Sequence, residues 1–205
     1  MKDLIFYTNP MSRGRIVRWM LEEVGEPYDT VLLDFASTMK EPSFLAMNPM
    51  GKVPVIRHGD TVVTEAAAIC AYLADAFPHK KLAPPTVERG AYYRWLFFAA
   101  GPLEAAVTAK ALGLLAPPEK RGMAGYGTFE ATIDTLEAAV AGREFVAGDS
   151  FSAADVYVGS QIGWGLLFGT IEKRPAFTEY FGRLQARPAS KRASALDDAA
   201  IPPKI

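Results

Sequence analysis

An α/β domain followed by an all-α domain is the fold class predicted by this 205-residue sequence. Two observations carry the prediction. Over residues 1–79 short apolar runs alternate with helical periodicity, and beyond residue 87 every periodic segment is helical. A β-containing half followed by an all-helical half separates into two domains. The expected boundaries are 1–79 and 87–205, with the lysine- and proline-rich stretch 80–86 as linker. This length allows one domain or two small ones, with a sizeable core.

Leu4-Ile5-Phe6-Tyr7 is a compact apolar run suited to a buried strand. Asn9 and Pro10 end it, and Ser12 opens a helix. Ile16, Val17, Met20, Leu21 and Val24 then recur at helical spacing, with Arg15, Arg18, Glu22 and Glu23 mostly on the opposite face. Gly25 stops this helix, with Pro27 just beyond, and Tyr28 to Leu33 reads as a second strand. So short a connection predicts a right-handed parallel βαβ unit. Asp34 to Met50 is mostly loop, with a helical turn from Pro42 to Met47. Val53-Pro54-Val55-Ile56 is a third strand, His58-Gly59-Asp60 a turn and Thr61-Val62-Val63 a fourth strand, together an antiparallel hairpin. A helix from Glu65 to Phe77 turns Ile69, Cys70, Leu73 and Phe77 inward and ends at Pro78. The order βαβ then ββα is that of a thioredoxin-like domain, with periodicity alone leaving rival folds open.

The second half predicts a helical bundle. Val87 to Leu115 is dense in aromatics (Tyr92, Tyr93, Trp95, Phe97, Phe98), for which core packing is the default. Gly122 to Val140 carries Phe129, Ile133, Leu136 and Val140 at helical spacing. Further helices start at Phe151 and run from Ala176 to Ala186, and Pro188 begins a short tail. Ser152-x-x-Asp155 ahead of an apolar run is a capping box, with Phe151 available as a staple.

Composition excludes several classes. Hydrophobic residues at 50% and charged residues at 22% are ordinary for a folded chain. A net charge of −1 gives no drive towards nucleic acid or an anionic membrane surface. No signal peptide is expected, because the run Leu4 to Tyr7 is far too short for one. No apolar stretch approaches the ~20 residues that span a bilayer; Asp155, Gln161 and glycines interrupt Ala153 to Phe168. The single cysteine, Cys70, excludes an internal disulfide, a CxxC pair and a cysteine zinc cage. Cys70 reads as packed rather than reactive. His58 and His79 lack paired spacing, so no metal is expected, and the setting read from cysteine usage is cytoplasmic.

Four segments carry a resemblance. Asn9-Pro10-Met11-Ser12-Arg13-Gly14-Arg15, Asn48-Pro49-Met50-Gly51-Lys52-Val53-Pro54 and Thr64-Glu65-Ala66 resemble cytosolic glutathione transferases of a bacterial, serine-type kind. Gly148-Asp149-Ser150-Phe151-Ser152-Ala153-Ala154-Asp155 is similar to that family's helical-domain signature. The match runs from Met1 to Pro188. It implies glutathione as co-substrate, no metal, and attack of the glutathione thiolate on a small apolar electrophile, or reduction of an organic hydroperoxide. It also implies a homodimer formed through the first two helices of the second domain, with neither nucleic acid nor membrane as partner. Two other functions stay open: a glutathione-dependent disulfide reductase, and a non-catalytic binding protein of the same fold.

The resemblance assigns roles residue by residue. Ser12 would donate a hydrogen bond to the glutathione sulfur. A free thiol titrates near roughly 8.5, so only a few per cent is ionised at neutral pH; that bond and the helix N-terminus favour thiolate. By pattern alone Ser12 is a helix cap, and one hydroxyl can serve both roles. Thr8 and Asn9 are rival donors. Registering Arg13-Gly14-Arg15 on the tyrosine-type pattern puts its tyrosine near Asn9, which leaves Tyr7 a core or interface aromatic. Arg13 would add positive potential, or is a solvated helix arginine. The Val53-Pro54 bond is open between cis and trans by pattern. The resemblance implies cis, with the Val53 backbone pairing with the cysteinyl backbone of glutathione. Glu65 would accept from the γ-glutamyl ammonium, or is a helix-dipole partner worth ~0.3–1 kcal/mol. Ala66 stands where the family commonly has serine, and its N–H at a helix N-terminus would bind the γ-glutamyl carboxylate. Lys52, or Lys40, would meet the glycyl carboxylate, or is a solvated lysine. Tyr126 and Trp164 are candidates for the electrophile pocket.

Overall fold

The computed structural model describes residues 3–201. The chain forms two compact units, one made of the residues up to Lys80 together with those from Arg187 onward, the other spanning Lys81–Ala186. In the first unit, strand β1 (Leu4–Thr8), helix α1 (Gly14–Val24) and strand β2 (Asp29–Leu32) make the expected parallel βαβ. A short 3-10 turn at Thr38–Lys40 and helix α2 (Pro42–Leu45) follow. Strands β3 (Val55–His58) and β4 (Thr61–Thr64) form the antiparallel hairpin, and helix α3 (Ala66–Ala76) completes the ββα half. Strand order is β2-β1-β3-β4, with β1 and β3 antiparallel. The third strand starts at Val55, not Val53, because Pro54 has no N–H for the ladder; the Val53–Pro54 bond is cis.

Alternation along β1 and β3 sorts their side chains between two layers. Tyr7, half-buried, and its partner Val55 face Met39 and Phe44 from the 3-10 turn and α2. Tyr7 is thus a core aromatic, its ring 6.2 Å from that of Phe44. Phe6 and Ile56 are fully buried on the opposite face, under α1 and α3. Cys70 is buried in α3, and its burial pushes the thiol well above its usual titration range.

Ile16, Val17, Met20, Leu21 and Val24 are buried as the periodicity predicts. The charged face of α1, however, is not left to solvent. Residues beyond Pro188, expected as a tail, form helix α9 (Pro188–Ala199), which opens on a proline at its first turn and packs along α1. The charges pair across this contact. Arg18 Nε lies 3.2 Å from Asp197, and Arg187 holds Glu23 by two bonds of 2.7 and 2.8 Å. Arg192 reaches Glu22 at 3.1 Å, and Arg15 reaches Asp198 at 2.6 Å. Arg18 is only 5% exposed and Asp197 1%. The Arg18 guanidinium also donates to Tyr28 and Thr30 and lies 5.0 Å from the Phe6 ring centroid.

The second unit holds helices α4 (Gly90–Phe98), α5 (Glu104–Ala111), α6 (Phe129–Val140), α7 (Ala153–Phe168) and α8 (Pro175–Gln185). The aromatic-rich segment from Val87 to Leu115 is broken at Ala99–Leu103, a π turn containing Pro102, where the ring removes a backbone donor. Tyr92 and Trp95 are buried as expected, whereas Tyr93 and Phe97 are exposed. Asp155 is fully buried and saturated. It accepts from the Ser152 N–H (2.9 Å) and hydroxyl (3.1 Å), the Val146 N–H and the Tyr180 hydroxyl (both 2.7 Å). Despite those four donors, burial leaves its carboxyl above the usual range.

Candidate functional site

Sheet register gathers the motifs. Tyr7 pairs with Val55, and Val55 pairs with Thr64. The chain leaving β1, the chain entering β3 and the chain leaving β4 therefore meet at one end of the sheet. That end carries Asn9, Ser12 and Arg13 on the first loop, Lys52, Val53 and Pro54 on the second, and Glu65 and Ala66 on the third. The helices α1 and α3 start there, so their unsatisfied N–H groups are concentrated at the same end.

The first loop is fixed by its own side chains. The Asn9 carboxamide accepts from the Met11 N–H at 2.9 Å and donates to the Leu33 carbonyl at 2.8 Å, tying the loop to the end of β2. Ser12, half-buried, accepts from the Gly14 N–H at 2.9 Å, one residue ahead of the N-cap position, which Arg13 fills without a side-chain cap bond. Its own hydrogen goes to the Asn9 carbonyl at 2.7 Å. The bond from Gly14 leaves the hydroxyl hydrogen of Ser12 to be placed, but a sulfur would have to draw it away from Asn9. Any other residue at Gly14 would force its neighbours to shift: a Cβ there would run into the Thr8 Oγ1, and it would stand 3.0 Å from Ser12 Oγ. The Thr8 and Ser12 hydroxyls consequently flank one point above Gly14. Arg13 is exposed at the helix start.

The second loop is organised by Asn48, which the sequence offered only as part of a motif. Its carboxamide donates to the Lys52 carbonyl at 2.7 Å and accepts from the Met50 N–H at 3.1 Å. Gly51 closes the turn at φ 58, where a Cβ would crowd the Met39 carbonyl and Lys40 Nζ at 3.0 Å each. Lys40 donates to the Gly51 carbonyl at 2.9 Å, a backbone partner that the sequence did not suggest. Lys52 is exposed, and Val53 lies half-buried outside the ladder. Turn chemistry of the Asn-Pro-x-Gly kind was the signal that could have singled out Asn48.

On the third loop, Glu65 is exposed with φ 66 and ψ 118, a left-handed backbone that a non-glycine residue adopts at a cost. Such outliers persist where their surroundings demand them. This one leads the Ala66, Ala67 and Ala68 N–H groups into α3 ahead of its first bond, from the Ile69 N–H to the Glu65 carbonyl.

Arg15 is the residue that sequence reasoning missed. Its Nε donates to the Pro10 carbonyl at 2.6 Å, and its Nη2 reaches Asp198 on α9. The partner lies 183 positions away, so no local pattern announced it. In the second unit, the Tyr126 hydroxyl accepts from the Ala116 N–H at 2.9 Å and Trp164 packs edge-on with Phe168. Among the described residues, no cluster of three or more His, Cys, Asp or Glu could hold a metal ion. No described helix is long and apolar enough to cross a membrane.

Residues 11–76 match the family described as the N-terminal domain of glutathione S-transferases. Glutathione S-transferase GstB of Escherichia coli K12 is 29% identical over 197 residues, covering 90% of this chain and 93% of its own. A glutathione transferase structure from Methylococcus capsulatus superposes with a TM-score of 0.77 at 29% identity, over 96% of this chain and 99% of that one. A sphingomonad glutathione S-transferase solved with glutathione gives 0.73 at 29% identity, over 95% and 98%. These likenesses support the cytosolic glutathione transferase family. With it they support a glutathione transferase enzyme built on a thioredoxin-like domain and a helical domain. The stretch that matches the glutathione S-transferase N-terminal domain takes in Ser12, Arg13, Lys52, Val53, Pro54, Glu65 and Ala66, while Asn9 precedes it by two residues.

Proposed function

We propose that this protein joins the glutathione thiolate to a small apolar electrophile such as an aryl halide or activated alkene, with Ser12 as the residue that stabilises the sulfur anion. The observation that carries the reading is the meeting of three loops and two helix starts at one end of the sheet, with the Ser12 hydroxyl at the opening of α1. The Val53 backbone, free of the ladder, would pair with the cysteinyl unit of the tripeptide. Glu65 would receive its ammonium, the Ala66 N–H its γ-glutamyl carboxylate, and Lys52 its glycyl carboxylate. Arg13 would add positive potential. The nucleophile in this scheme is the sulfur of the co-substrate, and the thiol proton passes to solvent. An aryl halide loses halide to solvent while an alkene adduct takes a proton from it, and Ser12 donates a hydrogen bond without giving up its proton.

Asn9 is a poor sulfur donor in this scheme, because its carboxamide is engaged by Leu33 and Met11. This favours conjugation over a disulfide reductase acting through Asn9. A homodimer is part of the proposal, supported by Tyr93 and Phe97, which stand exposed one turn apart on α4. The test is Ser12→Ala, assayed with glutathione and an activated aryl chloride. Turnover at neutral pH is expected to fall at least about tenfold, the equivalent of one pKa unit on the thiol, with glutathione affinity nearly unchanged. Wild-type turnover in the variant would remove Ser12 from the chemistry.

A further inference from the structure

The Asn9 carbonyl is a crowded acceptor. It takes the Ser12 hydroxyl at 2.7 Å and the Ser12 N–H at 3.1 Å, and the Thr8 hydroxyl waits at 3.5 Å, the long limit for such a bond. Thr8 is fully buried at the end of β1, and its hydroxyl reaches no other acceptor among the described residues. Its position is set by its own carbonyl, which accepts the Leu33 N–H at 2.8 Å, and by the bare Cα of Gly14 pressed against Oγ1. A sulfur anion and the Asn9 carbonyl compete for the single hydrogen on Ser12. If that hydrogen left, the carbonyl would lose its shortest bond in a half-buried turn, a cost set against every gain at the sulfur.

We propose that Thr8 is a positioning residue for the sulfur site: its hydroxyl closes on the Asn9 carbonyl as the Ser12 hydroxyl turns away, so that Ser12 can donate outward. The inference rests on the Ser12 role proposed above and adds a second hydroxyl to it. Thr8 touches neither the tripeptide nor the electrophile in this arrangement. It acts on the balance of one hydrogen bond, through its hydroxyl alone.

The test compares Thr8→Val, which keeps the shape and removes the hydroxyl, with Thr8→Ser, which keeps the hydroxyl and removes a methyl. The readout is the pH titration of the bound glutathione thiolate by its ultraviolet absorbance, which needs no electrophile, with affinity followed by calorimetry. In Thr8→Val the apparent pKa of the bound thiol should rise by about half to one unit, the size that one neutral hydrogen bond carries. Affinity at low pH should hold, and Thr8→Ser should titrate like the wild type. Adding Thr8→Val to Ser12→Ala should produce no further rise. A Thr8→Val titration that overlays the wild type would overturn the proposal, as would a Thr8→Ser curve displaced as far as that of Thr8→Val. Those outcomes leave the Ser12 reading standing if Ser12→Ala is itself displaced; a Ser12→Ala curve identical to wild type overturns both.

Discussion

Replacing Arg18 by Met tests whether α9 is part of the first unit or an accessory to it. The guanidinium makes three hydrogen bonds in a site where both partners of the ion pair are nearly inaccessible: 3.2 Å to Asp197 Oδ1, 3.1 Å to the Tyr28 hydroxyl and 2.8 Å to Thr30 Oγ1. The other Asp197 oxygen, Oδ2, is buried without a hydrogen-bond partner. Removing Arg18 therefore strands a carboxylate, and breaking a buried pair from one side costs about 3–5 kcal/mol. For a chain of this length that lowers Tm by about 10 °C. Burial already holds the Asp197 carboxyl above its usual range, against the pull of Arg18 and Arg15. Without Arg18 it rises further. A carboxyl raised on folding lends its stabilisation fully below its unfolded pKa and loses it as pH climbs through the folded value. The deficit of Arg18→Met should thus be largest at about pH 7 and shrink towards about pH 4.5, by about 1.4 kcal/mol for each unit separating the two proteins' Asp197 pKa values. Urea unfolding at both pH values measures it, with Arg18→Met/Asp197→Asn expected to recover part of the loss at neutral pH. Equal deficits at the two pH values, with no recovery in the double variant, would refute the reasoning.

Three further perturbations separate fold from chemistry. Glu65→Gly relieves the left-handed backbone, so the free protein should gain about 1 kcal/mol while the glutathione-induced rise in Tm diminishes; a ligand shift equal to wild type would leave Glu65 no binding role. Gly14→Ala drives a methyl into Thr8 Oγ1 on a buried strand and should cost about 1–3 kcal/mol, read by thermal melting, together with most of the turnover. Unimpaired melting and turnover would mean that the close approach is not rigid. Asp155→Asn sets an amide against the donors that surround the carboxylate and should cost about 3 kcal/mol in urea unfolding, contradicted by a midpoint within error of wild type.

Much of this molecule was legible in local pattern. The compact apolar run of β1, the turn into β4, the apolar stripe of α1 and the Ser152–Asp155 box read correctly because each depends on neighbours a few residues apart. The charged face of α1 did not. Arg18 and Glu23 look like solvated residues until their partners Asp197 and Arg187 are known, and those partners come from the far end of the chain. For the same reason α9 looked like a tail: much of its value lies in charges that have meaning only against α1. Within the candidate site, the residue types of the three loops were readable. The bonding of Ser12 to the Asn9 carbonyl was not, since only the fold decides which acceptor a hydroxyl finds. Arg15 stayed hidden because one of its bonds is to backbone and the other crosses to α9.

The helical unit is threaded into the α/β unit as an insertion between residues 80 and 187. During synthesis the sheet and its first three helices emerge long before the helix that packs along α1, and in that interval Arg18, Glu22 and Glu23 lack Asp197, Arg192 and Arg187. The α/β half therefore reaches its final state only after residues 188–199 have been made, and removing that helix should injure the first eighty residues more than the helical unit between.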